Sequence, residues 1–142
     1  MAYLNREERH SSILNAAVRV AMAEGMAATT VRRVANEAEV AVGQVHHHFA
    51  SVSQLRADAF LLLVQQSLAA FNIASQNHPA VERLLLVLGY PQDDVGKRET
   101  RLWNEVSLLA ERDDAIRLAY TQSMSNWHQA TVAVINAGRE SG

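Results

Sequence analysis

Two groups of residues in this 142-residue chain have the types and spacing to do chemistry: the run His46-His47-His48 and the pair Glu7-x-x-His10. Imidazole is a common ligand of zinc and nickel. Consecutive helical positions point about 100° apart, however, so three neighbouring rings do not converge on one ion without help from another chain. No metal is expected. A carboxylate-bridged di-iron bundle needs paired Glu-x-x-His motifs and further carboxylates, and only Glu7-x-x-His10 occurs. The sequence holds no nucleophile elbow, phosphate loop or dinucleotide fingerprint, so neither catalysis nor a cofactor is expected.

The elements that must position these residues are helical. Only six Gly and two Pro occur, hydrophobic residues make up 49% and charged residues 20%, a balance that favours a folded all-α chain. Cysteine is absent, which excludes disulfides, thiolate zinc sites and thiol redox sensing. The polar start, Met1 to His10, does not resemble a signal peptide, and no uninterrupted apolar run approaches the ~18 residues of a membrane span. A cytoplasmic protein without membrane contact is the expectation. Net charge is −2. Up to Asp58 six Arg face six acids, but His10, His46, His47 and His48 lie there too, so this part gains positive charge as pH falls toward ~6.5.

Seven helices are predicted. Asn5 and Glu8 resemble a capping box opening a first helix with the stripe Ile13, Leu14, Ala17, Val20 and Ala21, which ends at Gly25. Thr29-Thr30 offers a cap for a short helix, Val31 to Ala38, with Val34, Ala35 and Ala38 inward. After Glu39 and Val40, a third segment from Ala41 to His48 turns Val45 inward with Phe49 just beyond. Ser51-Val52-Ser53-Gln54 reads as a capping box for a long helix to about Gln76. Val81 to Leu88, apolar on most sides, predicts a largely buried helix stopped by Gly89-Tyr90-Pro91. A polar loop, Gln92 to Gly96, precedes a helix with Leu102, Trp103, Val106, Leu109 and Ala110. Asp113-Asp114 caps a last one whose stripe runs from Ile116 to Ile135 and which should end at Gly138.

Segments two and three meet the demands of a helix-turn-helix between about Thr29 and Phe49. A tight turn joins them, the small residue Ala35 stands at the crossing, and Val34, Ala38, Val40 and Val45 are apolar toward the inside. The second helix then keeps a polar face for a major groove. In addition, Ile13-Leu14-Asn15-Ala16-Ala17, Glu24-Gly25, Thr29 through Ala35 and Gly43 through Phe49, followed by Leu55, resemble the N-terminal domain of the TetR/AcrR family of transcriptional regulators over about residues 6–60.

That resemblance implies an N-terminal DNA-binding domain over residues 1–50 and a helical effector-binding and dimerisation domain over 51–142. It implies a ligand-responsive repressor that binds a palindromic double-stranded DNA operator as a homodimer and answers to a small-molecule effector. Thr30, Arg32 and Arg33 would contact phosphates or a groove edge, where guanidinium groups and helix N-termini favour anions. Ala41, Val42, Gln44, His46 and His47 would face the groove, Gln44 pairing with adenine and Val42 meeting a thymine methyl. His48 would pack beside Phe49.

The fourth helix, Ser53 to Gln76, would carry ligand binding to the recognition helices of the two subunits, which adjacent major grooves require ~34 Å apart. Phe71, Trp103, Tyr120, Met124, Trp127 and His128 are the candidate pocket residues; at helical spacing each also suits a plain core. Members of the family usually carry two further helices, so the second domain is expected to be C-terminally incomplete. The competing reading is a helical protein-interaction adaptor without DNA reading.

Three positions depart from the family pattern. Glu39 stands at the usual turn glycine, Ala41 at the usual hydroxyl cap, and Val52 at the usual phosphate-binding lysine. With few cations facing phosphate, the affinity for an operator should depend only shallowly on salt, because each phosphate contact contributes about one unit to the slope of log K against log salt. Titrations across a range of salt concentrations check this, and a steep slope would contradict it.

Overall fold

The computed structural model describes residues 4–89 and 93–142, and these form seven helices and no strand. They are α1 (Arg6–Glu24), α2 (Val31–Ala38), α3 (Val42–His48), α4 (Val52–Ser75), α5 (Ala80–Val87), α6 (Asp94–Leu109) and α7 (Asp114–Glu140). Tyr90, Pro91 and Gln92, where the sequence suggested a stop and the start of a loop, lie outside the described residues; the rest of that expected loop is helical instead, because Asp93 caps α6 and Asp94 to Gly96 form its first turn.

Local chemistry sets most of the helix starts. Asn5 accepts from the Glu8 N–H while the Glu8 side chain accepts from the Asn5 N–H, a complete capping box. Thr30, Asp93 and Asp113 cap α2, α6 and α7 through the N–H groups of Arg33, Gly96 and Ile116. Ser51 caps α4, but Gln54 does not reach back: its amide donates to Asp58, so only half of the expected box forms.

The buried residues of α1 to α3 (Ile13, Ala16, Ala17, Val34, Ala35, Val45, Phe49) and those of α4, α6 and α7 (Leu55, Phe60, Leu63, Leu102, Val106, Ile116, Ala119) form one continuous cluster. Helix α4 lies at its centre, against α1 on one side and α7 on the other. By length and composition α4 could cross a bilayer. Here its apolar positions Leu55, Phe60, Leu63, Val64 and Phe71 are instead buried against protein.

Two expectations are corrected. No residue of α5 is fully buried: Val81 is 72% exposed, Leu85 50% and Leu88 60%. An eight-residue helix seated on α4 and α7 can cover one side only; Val81 and Leu85 lie on the other, and Leu88 at the helix end borders a cavity. Helix α7 also runs past Gly138 to Glu140. A Cβ at Gly138 would come 3.1 Å from the Ala80 Cβ, so this glycine permits close approach of α5 instead of ending the helix.

Glu39 takes the left-handed conformation, φ 56° and ψ 44°, as the turn between α2 and α3 demands. It is the sole non-glycine residue with positive φ among the described residues. The Val40 N–H closes onto the Ala35 carbonyl at 3.0 Å, a Schellman-type ending. A side chain in this region costs on the order of 1 kcal/mol. Glu39→Gly should therefore raise the unfolding free energy by about 0.5–1 kcal/mol, read as a higher urea midpoint at unchanged slope.

Candidate nucleic-acid interface

Seven residues are too few to hold a helix in water, so α3 exists because it is docked. Val45 and Phe49 are its anchors, both buried against α1, α2 and α4. With that side fixed, Ala41, Val42, Gly43, His46 and His47 stand exposed and Gln44 is half-buried. Ala41 gives α3 no side-chain cap. The Gln44 N–H closes instead onto the Ala41 carbonyl at 2.9 Å.

The arginines expected at phosphates divide. Arg32 is exposed and enters no ion pair among the described residues. Arg33 is held inside the protein: its Nε and Nη2 lie 3.0 and 2.7 Å from Glu24, and its Nη1 lies 3.0 Å from Glu37. Glu37 also receives Arg19 at 3.2 Å. These contacts hold the Glu37 carboxyl below its ordinary pKa, through Arg33 first and Arg19 second, and lock α2 onto α1. Thr30, exposed, already accepts from the Arg33 N–H through its hydroxyl.

His10 was not among the interface residues named from the sequence. Its ring stacks on Phe49 at 4.7 Å, and His48 meets it edge-on at 5.6 Å. Its position one helical turn beyond Arg6, together with the apolar residue after the histidine run, was the available signal. His48 is pushed below its ordinary pKa, first by desolvation and then by the nearby charges of His10, His47, Arg6 and Arg9. Glu7 borders the same hollow with Arg6, His10, Ser11 and His48. Among the described residues no three side chains converge as metal ligands.

The turn between α1 and α2 is tied to the rest of the bundle by two side chains. Glu105 of α6 accepts from the N–H groups of Met26 (3.0 Å) and Ala27 (2.8 Å). Arg56 of α4 donates to the carbonyls of Thr29 (3.0 Å) and Ala27 (3.3 Å). Gly25, at φ 94°, passes so near Glu105 that a Cβ would sit 3.2 Å from its carboxylate. Neither Arg56 nor Glu105 was singled out in the sequence.

Behind this interface a cavity of about 390 Å³ opens between α5, α6 and α7. Of the pocket candidates, Trp103, Met124 and Trp127 line it. Phe71 and Tyr120 stand behind the two indoles, each with its ring 5.9 Å from one of them. His128 is exposed on α7 and does not line it.

Residues 13–59 match the pattern of the bacterial regulatory proteins of the tetR family. Solved structures share the fold over more than nine-tenths of the chain. One, assigned as a transcriptional regulator from Saccharomonospora viridis and solved with choline, has a TM-score of 0.78 at 22% identity, with 96% of this chain and 73% of that one covered. The multidrug binding protein EbrR with proflavin gives 0.65 at 28% identity, over 92% and 76% of the two chains. The regulator SCO7518 of Streptomyces coelicolor A3(2) gives 0.69 at 25% identity, over 92% and 75%. No curated protein sequence matches.

The histidine cluster fixes a pH dependence. A base whose pKa is depressed by folding favours the folded state above its ordinary value, about 6.5 for histidine, and that contribution is lost as pH falls through the folded value. Melting temperature should therefore decline as pH drops below about 6.5, and His48→Gln should flatten that part of the profile; an unchanged profile would remove His48 as the cause.

Proposed function

Given that residues 13–59 carry the tetR-family helix-turn-helix and that the whole chain has the fold of such regulators, we propose that this protein is a ligand-responsive transcriptional repressor. It reads a palindromic DNA operator as a homodimer in the cytoplasm, with residues 1–50 as reader and 51–142 as effector and dimer domain. One observation carries the DNA reading: α3 is pinned by Val45 and Phe49, which leaves Val42, His46 and His47 exposed and Gln44 half-buried on the rest of its surface.

In a major groove Gln44 offers the donor and acceptor pair that adenine N7 and N6 require, and Val42, 41% exposed, meets a thymine methyl. Arg32, the α2 N-terminus at Thr30, Ala41 and the two outward histidines take the backbone. Arg33 serves the site indirectly, by holding α2 on α1.

Ligand response is supported by the cavity and by what EbrR was solved with, proflavin in one structure and ethidium in another. Helix α6 carries Trp103 in the cavity wall and Glu105 on the α1–α2 turn, so a shift of α6 on filling the cavity reaches the reader directly. Dimerisation is supported by the bare apolar stripe of α5 and by Ile135 on α7, surfaces a second copy would cover.

Selection of duplexes from a random pool tests the reading: a palindromic site should emerge. Gln44→Ala should then weaken binding by about 1–3 kcal/mol and relax the preference at a single base pair, whereas Arg32→Ala should weaken all sites alike. A pool that yields no enriched sequence would overturn the DNA reading in favour of a protein adaptor.

A further inference from the structure

Among the described residues lining the cavity between α5, α6 and α7, Glu99 is the only one that carries a charge. Thr100 lines the cavity beside it, and the larger side chains of the wall, Leu86, Leu88, Trp103, Met124 and Trp127, are apolar or aromatic. One Glu99 oxygen accepts from the Ser67 hydroxyl of α4 at 2.7 Å, which fixes the carboxylate in place. No ion pair among the described residues neutralises it, since Lys97, two positions before, turns to Asp94 at 3.8 Å. A pinned anion beside two indoles, with no ion-pair partner among the described residues, is complementary to a positive ligand.

The surroundings decide what kind. A hard metal ion needs six or more oxygen ligands, and this cavity offers too few oxygens for that. An organic cation needs one counter-charge and π faces, and both are present. The faces are also held in position: Trp103 lies edge-on to Phe60 at 4.8 Å and to Tyr120 at 5.9 Å, and Trp127 is braced by Phe71. Preorganised rings cost a ligand little ordering. Met124 and the α5 leucines supply a deformable apolar wall for the body of the ligand.

We infer that this cavity binds an organic monocation with an apolar body, its charge seated between the Glu99 carboxylate and the rings of Trp103 and Trp127. The inference names the effector class for the regulatory reading above and rests on it only for its biological meaning. The chain has two Trp, and both line the cavity, so its intrinsic fluorescence reports occupancy without a label.

The test titrates the full chain, without DNA, with phenyltrimethylammonium and with its uncharged isostere tert-butylbenzene. The cation should quench saturably and bind at least tenfold tighter than the isostere. Glu99→Gln should remove most of that tenfold preference while leaving the isostere unaffected, and Ser67→Ala, which frees the carboxylate to rotate, should reduce it by a smaller factor. Equal binding of the two probes by the parent chain, an undiminished cation preference in Glu99→Gln, or no quenching at millimolar cation would each overturn the inference. Binding of the cation by a chain that selects no duplex would instead sink the regulatory reading and leave this one standing.

Discussion

The turn between α1 and α2 is the point on which the arrangement depends. Its backbone groups, from Gly25 to Thr29, are not all satisfied within the turn, and for the buried residues Met26 and Thr29 an unpaired amide or carbonyl would cost about 1–3 kcal/mol. Glu105 takes two of the N–H groups and Arg56 takes two of the carbonyls. Both arrive from helices outside the three-helix reader. The reader's orientation is thereby set by α4 and α6, and α3, which cannot stand alone, inherits that orientation through Val45 and Phe49.

The histidines give the same edge of the molecule a second character. Around the end of α3, His10, His47 and His48 crowd with Arg6 and Arg9, and Glu7 is the nearest acid in that hollow. Burial and these neighbouring charges oppose protonation of His48, so acid works against this corner of the fold.

Helix starts and the inner faces of α1 to α4 were legible in the sequence because each depends on neighbours within four residues: Asn5 with Glu8, Thr30 with the Arg33 N–H, Ile13 with Ala17. The turn at Glu39 drew attention for another reason, the resemblance that puts a glycine there. What the sequence hid was long-range. Nothing near Arg33 indicates that Glu24 and Glu37 claim its guanidinium, and nothing near Glu105 points to a backbone 78 residues away. Apolarity all round α5 suggested burial, yet the number of neighbours a helix finds is a property of the fold. Likewise Trp103 and Trp127 could be core or cavity until α5 was seen to leave space between them.

Helix α4 gives the chain a particular problem during its synthesis. It is the most apolar long helix of the protein, and α7, which covers one of its flanks, ends at Glu140. At about 5–20 residues per second, the ribosome needs several seconds after Ser75 to complete that cover. Until α5 and α6 follow, α1 is the only helix already made that packs on α4, and the flank that meets α7 stays uncovered longest. The residue order of the fold thus makes the stretch from α5 to α7 a race against aggregation, in which the short loops after α4 and α6 shorten the exposure.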